Sequence, residues 1–259
     1  MSASLVYNVA EERGPEVPTQ KEQRRRAQDY TARKTVHEGQ LKRRRRDNVL
    51  AIIGVVVVCV VATFGQIWYV QSNEVRVPDP SLADGATWTG EIVLNDIPLE
   101  IELDGAAAPQ GVSSFVYDTE RGYYADKTCH RLTTGEGFSV LQCGSVDGTG
   151  AGDPNFMYGP IENAPADDIY VAGTIAIARA GNDAQSNGHQ FFIVYEDTMI
   201  PSDEAGGYTV IGKVTSGLET LNEEITSKGV DLAAQTPTDG QPLVPVTITS
   251  AEVSKQSDQ

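Results

Sequence analysis

The pattern of hydrophobic and polar positions divides the chain into one uninterrupted apolar stretch and a long region of short alternating runs. Residues 49–70 read VLAIIGVVVVCVVATFGQIWYV, with no charge and with Gln66 as the one strongly polar side chain. About twenty such residues span the hydrocarbon core of a bilayer as a helix. A buried core helix is usually shorter and amphipathic, and a cleaved signal peptide begins earlier and ends at a small-residue cleavage site. We therefore predict a transmembrane helix over residues 49–70.

From residue 87 onward, apolar residues recur at every second position in short runs separated by Gly- and Asn-rich segments, which is typical of β-strands. Residues 87–93 and 98–103 predict a hairpin that turns around Asn95 and Asp96. Further strands are predicted at residues 128–132, 138–142, 174–178, 189–195, 208–214 and 244–253.

Two segments have helical spacing instead. The first begins near Pro109, and the second begins at Ser216, where Ser-Gly-Leu-Glu up to Glu219 forms a capping box. Gly229 is the expected C-terminal cap of the second helix. The apolar faces consist of Val112, Phe115 and Val116 in the first helix and of Leu218, Leu221 and Ile225 in the second. Many strands with two helices predict a mainly β fold, a closed antiparallel β-barrel capped by two α-helices.

The net charge also differs between the N-terminal part of the chain and the rest. Residues 1–48 carry twelve Lys and Arg against seven Asp and Glu, a net of +5, whereas the remainder carries eight against twenty-nine, a net of −21. A strongly acidic domain repels phosphate backbones, so we expect no nucleic-acid binding by it. Basic runs at residues 24–26 and 43–46 leave RNA binding by the arm open, although no aromatic residues are interleaved with them.

The flanks of the apolar stretch predict its orientation. The basic cluster Lys42 to Arg46 stands just before it, and Arg76 is the nearest basic residue after it. Because basic flanks stay in the cytoplasm, we expect a single-pass protein of the cell membrane with its N-terminus inside and its large domain outside. Trp68 and Tyr69, at the outer end, are typical of an interfacial aromatic belt.

These features predict five segments along the chain. They are a cytoplasmic basic arm (1–48), the membrane helix (49–70), a linker (71–86), a folded domain (87–255) and a tail (256–259). We expect the arm to be disordered or loosely helical and to contact anionic lipid headgroups.

Three motifs in the alternating region resemble the cyclophilins. The first, CHRL at 129–132 followed by VLQCG at 140–144, resembles the family's Phe-His-Arg and Gln-Gly-Gly signature. The second, GTIAIARAG at 173–181 followed by NGHQFFI at 187–193, resembles its Ala-Asn-Ala-Gly and Gln-Phe-Phe block. YTVIGKV at 208–214 resembles the strand that closes the family's site. The likeness, over residues 87–253, implies a peptidyl-prolyl cis–trans isomerase, and the preceding arm and membrane helix are similar to those of actinobacterial members.

The resemblance implies which residues form the site. Arg131 matches the catalytic arginine, and Gln142 matches the catalytic glutamine that steers it. The implied substrate-binding residues are Phe138, Val140, Ala178, Arg179, Gln190, Phe192, Ile200 and Tyr208. Rotation about a peptide C–N bond meets a barrier of roughly 18–20 kcal/mol, and lowering it requires an apolar proline pocket and a fixed donor rather than a metal or cofactor. Proline-containing polypeptides are the expected partners.

The chain departs from the family at several of these positions. Counting back from Gln142 places Ser139 where the family has its pocket phenylalanine, with Phe138 one residue early. We therefore expect an insertion before this strand and expect Phe138 to turn into the pocket. Arg179 replaces a common asparagine and should add positive charge to the groove.

Cysteine is sparse, since Cys59, Cys129 and Cys143 form neither a disulfide framework nor a zinc-binding pattern. Strand alternation places Cys129 on the same face as Arg131 and Cys143 on the face opposite to Gln142. If Arg131 and Gln142 both face the site, the two sulfurs point apart. A β-bulge would bring them together, so both arrangements stay open.

The leading functional hypothesis is an isomerase that assists the folding of exported proteins. The alternative is a proline-peptide binding module or chaperone with the same fold and little catalysis, which the substituted pocket positions keep open. A hydrolase lacks support, because neither His130 nor His189 stands in a motif with a Ser or Cys nucleophile.

Overall fold

The structure, a computed structural model, describes residues 20–73, 76–231 and 236–256. Residues 1–19 of the predicted arm, residues 74–75 of the linker and residues 257–259 of the tail lie outside this described part. The chain divides into two units, Met1–Glu74 and Val75–Gln259, and each is taken by itself.

In the first unit, one helix, α1 (Gln20–Asn73), contains both the described part of the basic arm and the apolar stretch. The arm from Gln20 is therefore helical, which agrees with its many Arg, Lys, Gln, Glu and Ala residues, all good helix formers. By length and composition α1 is able to cross a membrane, and a signal sequence near the N-terminus passes the same test. The predicted boundary at residue 48 does not correspond to a break in this helix.

The second unit is mainly β. Its helices are α2 (Pro109–Glu120) and α3 (Leu218–Glu224), with short 3-10 turns at Pro80–Ala83 and Thr226–Lys228. Its strands are β1 (Thr87–Leu94), β2 (Ile97–Asp104), β3 (Cys129–Thr133), β4 (Val140–Cys143), β5 (Ile169–Tyr170), β6 (Thr174–Ile177), β7 (Phe191–Val194), β8 (Thr198–Met199), β9 (Val210–Ser216), β10 (Asp239–Gly240) and β11 (Ile248–Lys255). Each predicted strand has a counterpart, whereas the two-residue strands β5, β8 and β10 were not predicted.

Nine of these strands form one antiparallel sheet in the order β10-β3-β4-β7-β6-β9-β2-β1-β11, and β5 pairs with β8. The sheet curls into a half-barrel. An isolated bridge between Thr128 and Thr247 joins the segments that precede β3 and β11. Full closure of the barrel stays a prediction.

The two faces of the sheet carry separate hydrophobic clusters, as the alternation in β7 illustrates. Phe191 and Ile193 point into the main core, where they lie with Phe115 of α2. Phe192 and Val194 point to the opposite face and pack in a smaller cluster with Val140 of β4. Because successive side chains of a strand alternate between faces, one strand supplies both the core and the wall of the functional site.

The start of α3 differs from the predicted capping box. Ser216 is the last residue of β9, and the helix begins at Leu218 behind Gly217, with no side-chain cap. Gly217 has a φ of 94°, and an added Cβ would lie 2.2 Å from the carbonyl oxygen of Pro98. The sheet pairing of Ser216 therefore prevents it from acting as a cap, and glycine makes the sharp turn instead. Gly229 follows the 3-10 turn rather than α3, which ends at Glu224 with Ile225 as its C-cap.

Candidate active site

A cavity of about 130 Å³ lies on the face of the sheet that carries the smaller hydrophobic cluster. Nine of the ten residues predicted for the site line it: Arg131, Phe138, Val140, Gln142, Ala178, Arg179, Phe192, Ile200 and Tyr208. The tenth, Gln190, is hydrogen-bonded to Gln142 and lines an adjoining hollow that also contains Gln142, Ala178 and Arg179. The structure thus brings the predicted residues together, and what each contributes to binding or catalysis stays a prediction.

The apolar part of the cavity is built on Phe192. This side chain is 4% exposed and is flanked by Val140 on the neighbouring strand β4. The ring of Tyr208 meets that of Phe192 edge-on, with centroids 5.3 Å apart. Ala178 and Ile200 pack against the same cluster. The result is a small hollow in which these apolar side chains lie beside the polar groups of Arg131 and Gln142.

Phe138 reaches the cavity through a tight turn that starts at Gly135. The Phe138 N–H donates to the Gly135 carbonyl at 2.9 Å, and Gly137 between them has a φ of 73°. Ser139 is buried and faces away, with its Oγ 3.3 Å from the Glu196 carboxylate. Phe138 therefore forms the cavity wall, although Ser139 is the residue that counting from Gln142 aligns with the family phenylalanine.

Arg131 projects from β3 at the polar edge of the cavity. Its Nε and Nη2 donate to the two carboxylate oxygens of Asp239, each at 2.8 Å, and its Nη1 donates to Oε1 of Gln142 at 3.4 Å. The hydrogen bonds to Asp239 raise the pKa of Arg131, so the guanidinium stays charged. Two of its five N–H groups, one on each terminal nitrogen, have no partner among the described residues.

The amide of Gln142 is oriented by its next neighbour. Gln190 donates through Nε2 to the carbonyls of Gly150 and Ala151, at 3.0 and 2.9 Å, which leaves its Oε1 as an acceptor. Nε2 of Gln142 donates to that oxygen at 2.9 Å, and Oε1 of Gln142 therefore faces Arg131. Gln190 is thus a partner of Gln142 rather than a lining residue of the cavity.

Arg179 does not present free charge to the groove, and that expectation is wrong. Its side chain is 1% exposed. Nη1 and Nη2 pair with the two oxygens of Asp203 at 2.9 Å, and Nε donates to the Gly207 carbonyl at 2.9 Å. The remaining donors go to the carbonyls of Ala180 and Gly206. All five N–H groups are committed, so the guanidinium holds the 203–207 loop beside the cavity.

The hydrogen bonds from Arg179 hold the pKa of Asp203 well below its usual range. The guanidinium carbon of Arg179 also lies 4.8 Å from the centroid of the Tyr208 ring. Arg179 therefore supports the aromatic wall of the cavity from behind. Sequence reasoning missed Asp203 as its partner, because nothing in the sequence links the two.

Cys129 and Cys143 form a disulfide, so the arrangement with diverging sulfurs is wrong. The register explains the difference. Cys129 pairs with Cys143 and Arg131 pairs with Gln142, so His130 is an extra residue in β3, a β-bulge. Because of the bulge, the two residues of each pair lie opposite each other. The disulfide therefore links the two strands that carry Arg131 and Gln142.

His189 occupies a buried position next to the site. Its Nδ1 lies 2.7 Å from the Asp118 carboxylate, and its ring is stacked between those of Tyr123 and Phe156. Burial raises the pKa of Asp118. His189 is thus held by one carboxylate and two aromatic rings.

The second unit thus combines a curled antiparallel sheet with a small cavity, and an arginine is held at the edge of that cavity. The chain belongs to the cyclophilin family, because the family model for "Cyclophilin type peptidyl-prolyl cis-trans isomerase/CLD" matches residues 91–253.

The chain is similar to the probable peptidyl-prolyl cis-trans isomerase B of Mycobacterium tuberculosis, with 37% identity over 178 residues that cover 64% of this chain and 54% of the relative. It is 39% identical to peptidyl-prolyl cis-trans isomerase B of Bacillus subtilis over 133 residues, 51% of this chain and 86% of the relative. The chain thus spans about half the length of the mycobacterial relative.

A solved structure with the same fold is a cyclophilin type peptidyl-prolyl cis-trans isomerase of Cryptosporidium parvum, in the presence of the dipeptide Ala-Pro. The TM-score is 0.51 at 25% sequence identity, and the match covers 66% of this chain and 99% of that chain.

Proposed function

We propose that the chain is a peptidyl-prolyl cis–trans isomerase in which Arg131 acts on a proline held in the cavity. The observation that carries this proposal is the guanidinium of Arg131. It is fixed on two sides, charged, and left with two uncommitted N–H groups beside an apolar hollow. Gln142 and Gln190 contribute by keeping an acceptor turned toward it.

The mechanism follows from the nature of the barrier. Amide resonance opposes rotation, and an X–Pro bond has only a small preference for trans, so the barrier rather than the equilibrium limits exchange. A site that holds the proline ring and donates hydrogen bonds favours the twisted amide over either planar form. The planar fork of arginine suits this role because it presents several donors in fixed directions.

Two similar proteins and one solved structure support this assignment. The mycobacterial and Bacillus relatives are named as peptidyl-prolyl cis-trans isomerases. The Cryptosporidium structure was determined with Ala-Pro, a dipeptide that contains the group our cavity suits. Proline-containing polypeptides are therefore the substrates that we propose.

The direct test is a protease-coupled isomerisation assay on the full chain in detergent, with a chromogenic peptide that contains Ala-Pro. We expect the cis peptide to be converted faster than in buffer, in proportion to the enzyme concentration. An unchanged rate, together with measurable binding of the peptide, would instead establish the binding module with little catalysis.

We also propose that α1 anchors the protein in the cell membrane, with the arm in the cytoplasm and the domain outside. The basic cluster at residues 42–46 and the length of the apolar stretch support this orientation. The disulfide between Cys129 and Cys143 is a second support, since such bonds persist in oxidising compartments. Exported proteins would then be the substrates, and the arm would contact anionic lipid.

Protease added to intact spheroplasts tests this orientation. We expect it to remove the domain and to spare a fragment that contains the arm. Protection of the domain until the cells are lysed would reverse the proposed orientation.

A further inference from the structure

Among the residues that the structure describes, Asp239 is the one hydrogen-bond partner of Arg131 that the sequence did not indicate. Its two oxygens accept from Nε and Nη2, so the pair is bidentate, and the two side chains are 37% and 38% exposed. Such pairs fix the plane of the guanidinium as well as its position. Asp239 therefore controls the direction in which the remaining donors of Arg131 point.

The backbone holds Asp239 in place. It lies in β10, which pairs with β3 through Asp239 opposite Thr133 and Gly240 opposite Leu132. The Thr134 N–H donates to the carbonyl of Thr238 at 2.8 Å, which extends this pairing by one residue. The carboxylate is thus delivered from a strand of the same sheet, on the side of β3 away from Gln142.

The two neighbours of Arg131 share its donors in a complementary way. Asp239 takes the edge formed by Nε and Nη2, and Gln142 takes one donor of Nη1. The two N–H groups that stay uncommitted are on different terminal nitrogens. Without Asp239, the Nε–Nη2 edge would lose its fixed acceptors, and the guanidinium could rotate about its terminal bonds and pair with water.

We propose that Asp239 is a positioning residue, which orients the guanidinium of Arg131 so that its uncommitted N–H groups face the proline cavity. This inference rests on the proposed isomerase function. If the carboxylate instead weakened Arg131 as a donor by partly neutralising its charge, removal of the carboxylate would raise the rate. The two effects predict opposite changes in rate when the carboxylate is removed.

The test compares Asp239→Ala, Asp239→Asn and Thr238→Ala in the full chain in detergent. We expect Asp239→Ala to lower kcat by about tenfold with little change in KM, because partial misorientation should cost less than the roughly hundredfold of a full 1 Å misplacement. Asp239→Asn keeps one acceptor and should recover part of the rate. Thr238→Ala, at the exposed residue just before Asp239, is the control and should match the wild type. A rate equal to or above that of the wild type in Asp239→Ala would overturn the inference.

A double-mutant cycle separates this inference from the proposed function. If Asp239 acts through Arg131, Asp239→Ala should have no further effect in the Arg131→Ala background. An Arg131→Ala variant that keeps full activity would contradict the proposed catalytic arginine. An inactive Arg131→Ala variant with a fully active Asp239→Ala variant would contradict only the role of Asp239.

A readout independent of activity is the NMR signal of the Arg131 Nε–H. The bond to Asp239 should slow its exchange with water in the wild type, and Asp239→Ala should speed that exchange while the thermal unfolding midpoint changes little. Equal exchange in both proteins would show that the pair does not hold the guanidinium in solution, which would contradict the inference.

Discussion

Two arginine–aspartate pairs flank the same cavity, and they differ in how many donors they leave free. Arg131 is 37% exposed, and it donates two N–H groups to Asp239 and a third to Gln142, so two of its five N–H groups remain uncommitted. Arg179 is 1% exposed, and all five of its N–H groups donate to Asp203 or to one of three backbone carbonyls. The chemical groups are the same, and their surroundings give them different roles.

A charged residue in a site is therefore not by itself a catalytic residue. A donor acts on a substrate only if it is uncommitted and faces it, and a guanidinium saturated by protein acceptors can only hold structure. On this reasoning, loss of Arg131 should affect turnover and loss of Arg179 should affect stability. The predictions below test that separation.

The largest effect is expected for Arg131→Ala. Removal of one well-placed donor to a transition state typically lowers the rate by about a hundredfold or more. The unfolding free energy should fall by less than about 1 kcal/mol, because the pair with Asp239 is partly exposed. Turnover and thermal unfolding are to be measured on the same preparation, and a normally folded variant with wild-type turnover would remove the proposed role of Arg131.

The next effect concerns the apolar wall. Phe138→Ala should lower kcat/KM by about tenfold, because the lost contact with a proline ring is worth roughly 1–2 kcal/mol. Ser139→Ala serves as the matched control, since Ser139 faces Glu196 and not the cavity. The opposite ranking of these neighbours would show that Ser139 occupies the pocket position during binding.

Arg179→Ala should change stability more than turnover. The substitution removes the guanidinium donors from Asp203 and from three carbonyls, and we expect the Tm to fall by roughly 5–10 °C. The isomerase rate measured well below the Tm should fall only a fewfold, through a less ordered wall at Tyr208. A large loss of rate with an unchanged Tm would erase the distinction between the two pairs.

The smallest effect is a dependence of stability on pH that comes from Asp203. Because Arg179 lowers the pKa of Asp203 from the ordinary value of 3.8, the stabilisation is present above that pH and is lost as the pH falls below it. The Tm advantage of the wild type over Asp203→Asn should thus be constant between about pH 5 and 7 and shrink below about pH 4. A difference that does not vary with pH would mean that the charge of Asp203 is not involved.

Local patterns were sufficient to predict much of the sheet and most of the cavity lining. Alternation in residues 189–195 separates Phe191 from Phe192, and the structure places these side chains on opposite faces. Such information is contained in a strand itself, because side-chain direction follows from the backbone period. The same reasoning predicted α2 from Pro109.

The features that were missed depend on contacts between distant segments. The bulge at His130 appears only in the register between β3 and β4, and it decided the disulfide. Asp239 is 108 residues from Arg131 and lies in a strand of two residues, which is too short for any periodicity. The capping box from Ser216 to Glu219 is complete in the sequence and predicts a helix start at Ser216. Pairing with β2 places Ser216 in the sheet instead.

Exchange NMR of an Ala-Pro peptide with the wild type and with Arg131→Lys distinguishes the orientation of the Arg131 N–H groups from the positive charge alone. Lysine keeps the positive charge but replaces the planar fork with a point charge that cannot meet Asp239, Gln142 and a substrate in fixed directions. If oriented, uncommitted N–H groups carry catalysis, Arg131→Lys should catalyse cis–trans exchange little better than Arg131→Ala. Exchange at nearly the wild-type rate in Arg131→Lys would show that charge alone is sufficient and would contradict this account.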